Sequence, residues 1–365
     1  MTHEELWFWL LSLKTPGPVS LSRLFSRYGD LEGIWKAQDD LPLTPKQKNE
    51  LEESRRHPER YQREYRQMIS QGIRMVTVED PDYPRRLRPL AGAPYGFFLR
   101  GRLPEESVPA VAIVGARACT PHGMAIAEEI AGDLAAQGVA IISGMAAGID
   151  GSSHRGALNA SGYTCAVLGC GVDVCYPSSN RRLYRSLIEE GGILSEFPPG
   201  TPPLSTHFPQ RNRIISGLSD LVLVVEAREK SGSLITVDQA LEQGREVMMV
   251  PGRPDDPLSV GCNQRIGEGA AIYTGTESVL SLLPCSGRTQ AEPEEFRGCK
   301  LTQEEQAILE LLSAEPKHLE QLAVESGMAA GELLFTLLNL EMQGCIRQVT
   351  PGQYQRSPGG SRTGH

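Results

Sequence analysis

The sequence lacks an apolar run long enough to cross a bilayer. Its longest opening run, Leu6 to Leu13, follows Glu4 and Glu5 rather than the basic residues of a secretion signal. A cytoplasmic chain is therefore expected, with no membrane partner. Cysteine is sparse: eight in 365 residues, mostly inside apolar runs and without a C-x-x-C pair, which excludes a secreted disulfide scaffold. Cys165, Cys170 and Cys175 are evenly spaced, but no histidine stands at ligand spacing, so they read as small core residues rather than a metal site. Also missing are the dinucleotide fingerprint G-x-G-x-x-G, the P-loop G-x-x-x-x-G-K-[ST] and the nucleophile elbow G-x-S-x-G. No cofactor is expected, and no internal repeat is present.

Charge is unevenly spread. The whole chain has 36 basic and 45 acidic residues, a net −9 that by itself argues against a polyanionic partner. Residues 1–70 are balanced at 11 and 11, and residues 301–355 carry 2 basic against 8 acidic groups. Between 71 and 285 there are 18 basic residues, 17 of them arginine. Any site for a polyanion must be a local arginine cluster in that middle segment.

Periodicity divides the chain. Residues 1–70 read as a helical domain: Leu6, Leu10, Leu13, then Leu21, Leu24, Phe25 and Tyr28 fall at helical spacing around the turn Thr15-Pro-Gly-Pro18. Thr44-Pro45-Lys-Gln47 is a second helix start with a capping box. Helix, tight turn, helix resembles a helix-hairpin-helix or sterile-alpha-motif-like module, with one glycine where a DNA-gripping hairpin offers two. A small helical packing domain fits equally well. From residue 71 to 285, short apolar runs (111–114, 140–142, 165–168, 221–225, 247–250) alternate with helical stretches (122–137, 152–161, 179–190, 234–243). That alternation predicts an α/β fold, a Rossmann-like parallel sheet with helices on both faces and ligands at the carboxyl ends of its strands. Residues 286–300 read as a linker. Residues 301–355 read as three helices and a small hairpin, the winged-helix arrangement, and 356–365 as a disordered tail.

The strand ends carry the chemistry. Gly115-Ala-Arg117 closes the first strand before Thr120-Pro121 opens a helix, a setting in which backbone N–H groups and a guanidinium hold phosphate. The second strand ends in Ser143-Gly144, with Gly148, Asp150, His154 and Arg155 following. Asp150 is placed to cap its helix; His154 reads equally as a packing residue or a ligand contact. Gly169 and Gly171 follow the third strand. Arg211, Asn212 and Arg213 lie in a stretch without acids from Phe197 to Ser219, so they are expected to act unneutralised, as loop arginines. A second acid-free stretch, Tyr83 to Pro104, holds five more arginines. Ser231-Gly232-Ser233 completes the set. Glu226 reads as an acid, a base or an arginine's partner. With no carboxylate pair and no nucleophile elbow, the chain is expected not to be an enzyme.

These motifs, Val111-Ala-Ile-Val-Gly-Ala-Arg117, Ser143-Gly-x-Ala-x-Gly-Ile-Asp150 with His154, Gly169-x-Gly-x-Asp173 with Tyr176-Pro177, Phe208-Pro-x-Arg-Asn-Arg-Ile-Ile215, Ser231-Gly-Ser-Leu-Ile-Thr236 and Val250-Pro-Gly252, resemble the DprA/Smf family in order and spacing through residues 71–285. The resemblance implies an extended Rossmann-like domain without nucleotide chemistry. It further implies binding of single-stranded DNA, delivery of that strand to the RecA recombinase in natural transformation, and a homodimer. The family usually has Lys or Arg where this chain has Ala147, and Arg155, Arg211 and Arg213 are the expected substitutes. The rival reading is a nucleotide-processing hydrolase of the lysine-decarboxylase-like Rossmann group. Such an enzyme needs a P-G-G-x-G-T-x-x-E-type loop, and this chain has Ser231-Gly-Ser233 in its place.

Overall fold

The computed structural model describes residues 1–37, 41–284, 302–312, 317–342, 346–350 and 352–356. The expected linker and tail lie outside these residues. The chain divides into two compact units, Met1–Gly287 and Arg288–His365.

The first unit opens with five helices, α1 (His3–Leu11), α2 (Pro18–Tyr28), α3 (Leu31–Lys36), α4 (Pro45–Arg55) and α5 (Pro58–Ser70). Their starts follow local chemistry: Thr2 with Glu5 and Thr44 with Gln47 form capping boxes, and proline sits in the first turn of α2, α4 and α5. Helix α1 buries Leu6 through Leu11 without a break, so it has no polar face to offer water. Its Phe8 ring meets Phe98 edge-on at 6.0 Å, and the same core takes in Ala166, Leu168 and Ile193 of the sheet region. The helices are thus packed into the α/β unit rather than standing apart at residue 70. The hairpin resemblance ends at its donors: the N–H groups of Lys14 and Thr15 go to the Glu50 carboxylate at 2.7 and 2.9 Å, so this loop's own anion is internal.

Nine strands follow: β1 (Arg74–Thr77), β2 (Gly96–Gly101), β3 (Ala110–Val114), β4 (Ala140–Ser143), β5 (Thr164–Val167), β6 (Gly192–Ser195), β7 (Leu221–Val224), β8 (Glu246–Met249) and β9 (Ala271–Ile272). Their order is β1-β2-β6-β5-β4-β3-β7-β8-β9. From β6 to β9 every pairing is parallel, while β2 runs antiparallel to both β1 and β6. The sheet is therefore mixed, not wholly parallel. Strands β1 and β2 are joined without a crossover helix, which antiparallel pairing allows and parallel pairing does not. Helices α6 (Pro121–Ala136), α7 (Ile149–Asn159), α8 (Arg181–Glu190), α9 (His207–Gly217), α10 (Gly232–Glu242), α11 (Val260–Gly267) and α12 (Thr276–Leu280) cover its faces. Strand β7 illustrates the packing: Val222 and Val224 join the core under α9 and α10, while Leu221 and Leu223 join the one under α6 and α7. A strand buried on both sides must be apolar at every position, which is why these runs were readable.

The second unit contains α13 (Gln303–Leu311), β10 (Lys317–His318), α14 (Leu319–Ser326), α15 (Ala330–Met342), β11 (Ile346–Thr350) and β12 (Gln353–Arg356). Thr302 and Glu305 close the expected capping box. The expected hairpin gains a third strand, in the order β10-β12-β11, where Lys317–His318 pairs with β12 before its helix begins. Leu333, Leu337 and Leu340 fill the core with Ile308, Leu322 and Ile346. Leu334 and Phe335 face outward, 47% and 66% exposed.

Candidate nucleic-acid interface

From β3 the chain moves outward to β4, β5 and β6, then returns to place β7 on the other side of β3. The loops leaving β3 and β7 therefore diverge, and a cleft opens at the carboxyl ends of these strands, where doubly wound sheets bind ligands. It encloses about 690 Å³, and Gly115, Arg117, Ala146, Asp150, Tyr176, Phe208, Arg211, Asn212, Arg228, Lys230 and Ser231 to Ser233 are among its walls.

Glycine shapes the floor. A Cβ on Gly115 would lie 2.7 Å from Ile149 Cγ1, so the loop after β3 can pass only without a side chain. At Gly148, φ +78°, a side chain would collide with the carbonyl oxygens of Ala116 and Arg117, and the next N–H, of Ile149, donates to the Ala116 carbonyl at 3.3 Å, joining this loop to the start of α7. Arg117 projects from it, exposed, its guanidinium carbon 4.7 Å from the centroid of the Phe208 ring. Tyr176 packs against the same ring at 5.6 Å. An arginine over an aromatic face, open to solvent on a cleft wall, is suited to a base stacked on the ring and a phosphate held by the guanidinium.

Beneath them lies Arg211, only 3% exposed. It donates from Nη1 to the Val167 carbonyl, and its guanidinium fills the space a side chain at Gly144 would need. Its Nε has no hydrogen-bond partner among the described residues. Burial lowers its pKa to about 10, against the opposing pull of Asp150. It therefore stays cationic at neutral pH, an incompletely paired positive charge in the cleft wall. Burial raises the Asp150 carboxyl, and Arg211, backbone hydrogen bonding and Arg117 pull it back. Asp150 is not the cap of α7: that position belongs to Gly148, and the acid is buried in the first turn.

Other expected site residues serve the scaffold. Ser143 is buried and donates to the Ile113 carbonyl at 2.6 Å. His154 is fully buried, its Nδ1 2.6 Å from the Thr164 hydroxyl. That hydroxyl gives its proton to the Ile141 carbonyl, so Nδ1 is the donor and Nε2 is left unpartnered. A ligand role for His154 is replaced by packing. Arg211 and Arg213 lie on helix α9 rather than a loop, and Arg213 is neutralised from outside its sequence neighbourhood by both oxygens of Glu196, at 2.7 and 2.6 Å. Arg155 bonds the Ser152 hydroxyl at 2.9 Å. Gly169 makes room for the Phe208 ring, and Gly171 for Asp173, whose carboxylate receives the Gly200 N–H at 2.8 Å. Ser231 caps α10, accepting from the Ser233 N–H at 3.4 Å. Four of the five arginines of the other acid-free stretch are structural too: Arg86 forms a largely buried bidentate pair with Asp220, and Arg88, Arg100 and Arg102 donate to backbone carbonyls, while Arg85 is exposed. Among the described residues Glu226 pairs with no arginine; it receives the Thr120 N–H at 2.9 Å and hydroxyl at 2.5 Å, holding the start of α6.

Four contributors were not among the expected site residues: Phe208 and Tyr176, which stand in the family motifs, and Arg228 and Lys230, which do not. The two cations flank Glu229, so a local charge count nearly cancels, yet both are exposed and both line the cleft. Arg155 and Arg213, expected to replace the cation missing at the exposed Ala147, are engaged by Ser152 and Glu196 instead. The described residues contain no cluster of three or more potential metal ligands and no helix long and apolar enough to cross a membrane.

A Rossmann-like sheet with a cationic switch-point cleft, followed by a winged helix, defines the class. Residues 74–284 match the family model for DNA recombination-mediator protein A, and residues 291–352 match the DprA winged helix domain. The chain belongs to the DprA/Smf family. It is 34% identical to the Smf protein of a Synechocystis species over 98% of this chain and all of that one. It is 43% identical to the DNA processing protein DprA of Streptococcus pneumoniae over 56% of this chain and 72% of that one. Among solved structures, DprA of S. pneumoniae superposes with a TM-score of 0.65 at 33% identity, covering 77% of this chain and 98% of that one. DprA of Helicobacter pylori, whose structure concerns its mode of binding single-stranded DNA, gives 0.51 at 27% identity over 57% and 94%.

The buried histidine generates a pH prediction. Its pKa, ordinarily 6.5, is lowered to about 3 by burial and by the positive charges of Arg211 and Arg155. Between those values the unfolded chain binds a proton that the folded chain refuses, so stability falls as pH drops from 6.5 towards 3. The slope contribution approaches about 1.4 kcal/mol per pH unit. Urea unfolding across that window should show a shallower pH dependence for His154→Gln than for the unaltered chain; equal slopes would refute the assignment.

Proposed function

We propose that this protein binds and shelters single-stranded DNA in the switch-point cleft and hands it to the RecA recombinase during natural transformation. The observation that carries the reading is Phe208 with the Arg117 guanidinium 4.7 Å from its centroid on an open wall. Stacking tolerates any base and the guanidinium takes the phosphate, so binding is independent of sequence. Arg211, Arg228 and Lys230 add charge, and Gly232, with open space around its Cα, lets a backbone approach closely. The single-strand binding of the H. pylori relative supports this reading; delivery to RecA and the homodimer rest on the family. The chain acts in the cytoplasm as a binding protein, without a cofactor. Its Ser143, His154 and Glu226 are engaged in holding the fold rather than poised for catalysis.

Arg117→Ala should weaken single-strand binding by about 1.5–3 kcal/mol, roughly tenfold or more, and reduce the salt slope by about 0.7. Phe208→Ala should cost about 1–3 kcal/mol with little change in slope, because stacking releases no counterion. The unaltered chain, but not Arg117→Ala, should speed RecA assembly on the same strand. Unchanged binding in both folded variants would overturn the cleft assignment.

The winged helix is given a protein-facing role. Helix α15 contains Glu332 and no basic residue, and 2 cations against 8 acids over residues 301–355 make approach to a phosphate backbone repulsive. A chain ending at Pro284 should bind single-stranded oligonucleotide at least as tightly as the full chain. A clear loss of affinity with the fold intact would show that the module holds DNA.

The dimer is assigned to the Rossmann-like unit, where β9 leaves a sheet edge open and Ile272 and Leu282 are exposed. Because α1 shares the sheet's core, the fragment to test is again Met1 to Pro284. Light scattering should report a dimer at micromolar concentration, and a strict monomer would exclude this unit as the interface.

A further inference from the structure

Helix α8 carries its charges against its own dipole. Arg181, Arg182 and Arg185 stand in its first half, and Glu189 and Glu190 at its end. Cations are unfavourable near a helix N-terminus and acids near its C-terminus. Arg181 and Arg185 are also like charges at i and i+4, a second penalty. The packing of α8 uses Leu183, Tyr184 and Leu187, which are buried. All three arginines are exposed, and none has an ion-pair or hydrogen-bond partner among the described residues. Only Arg185 has an opposite charge at i+4, Glu189, a pairing that stabilises an exposed helix face only weakly; the stability of the helix accounts for neither Arg181 nor Arg182.

This surface is continuous with the cleft. The helix follows the loop leaving β5, so it begins at the same end of the sheet. Asn180, just before it, donates from Nδ2 to the carbonyls of Met145 and Ala146 at 3.0 and 3.3 Å, and Ala146 lines the cleft. Tyr176, on the same connection, is 39% exposed and packs on Phe208. Asp173, the nearby acid on that loop, is engaged by the Gly200 N–H.

We propose that the single-strand path leaves the cleft over Tyr176 and continues along α8, whose Arg181, Arg182 and Arg185 hold successive phosphates. This rests on the reading that the cleft holds single-stranded DNA. Alternating aromatic rings and unneutralised arginines along one end of a sheet are what a sequence-tolerant strand site requires. The occupant is thus a longer stretch of the same strand, and the cleft is one end of the site rather than its whole.

The test is fluorescence anisotropy with oligothymidylates of about 4 and about 16 nucleotides, spanning the range of single-strand sites, across a salt series with the full chain. The combined variant Arg181→Gln, Arg182→Gln, Arg185→Gln should bind the short strand as the unaltered chain does. On the long strand it should bind about tenfold more weakly, with a salt slope smaller by about 2, the sum of three phosphates at about 0.7 each. An unchanged slope and length dependence would overturn the proposal while leaving the cleft reading intact. Failure of the unaltered chain to bind either strand would overturn the cleft reading, and this inference with it.

Discussion

The buried guanidinium of Arg211 is the constraint on which the cleft depends. Bonded to the Val167 carbonyl at the end of β5 and lying against Gly144 at the end of β4, it ties α9 across two strand ends. Phe208 stands one turn earlier on that helix, so the same tie sets the height of the stacking ring above the floor. Taking an arginine out of water is costly. Asp150 and the Val167 carbonyl offset part of that cost without consuming Nε, and the surplus charge is what an anion in the cleft would meet.

An acidic protein can thus present a basic site. Most of the arginines in residues 71–285 with internal partners hold structure: Arg86 with Asp220, Arg213 with Glu196, Arg265 with Asp238 and Glu268. Removing one partner of a pair as shielded as the first two leaves an uncompensated charge and costs several kcal/mol. Of the arginines in this segment whose side chains have no hydrogen-bond or ion-pair partner among the described residues, Arg117, Arg228 and the three on α8 gather at one end of the sheet, while Arg85 stands in the connection between β1 and β2. Net charge therefore says little here, because the long-range sum is screened within about 8 Å, and a strand meets only the nearest groups.

Much of the architecture was legible along the chain. Five buried strands could be read because a position covered on both faces must be apolar, and the α6 start because Thr120-Pro121 marks it, whereas the starts of α7 and α10 were read late, past the glycines at Gly148 and Gly232. Strands β1, β2, β6 and β9 were not read as strands: their pairing is decided by partners distant in sequence, and Gly192–Ser195 has only Ile193 and Leu194 between two glycines and a serine to declare itself. Helix α9 escaped because Pro209 near its start and the run of prolines before it read as loop. The error carried into the site, since a loop would have left Arg211 and Arg213 in solvent.

The sequence by itself determined the alternation of strands and helices, the glycines at the strand ends, the arginine-rich middle segment and the family. These are local: each depends on residue type and spacing within a few turns of chain. Only the tertiary structure decided which cations remain available to a ligand. Glu196 reaches Arg213 across 17 residues and Asp220 reaches Arg86 across 134, whereas the acid beside Arg228 and Lys230 in sequence leaves both on the cleft wall. Coulomb energy falls with distance in space, not along the chain, so the charge a strand of DNA would meet is a property of the fold.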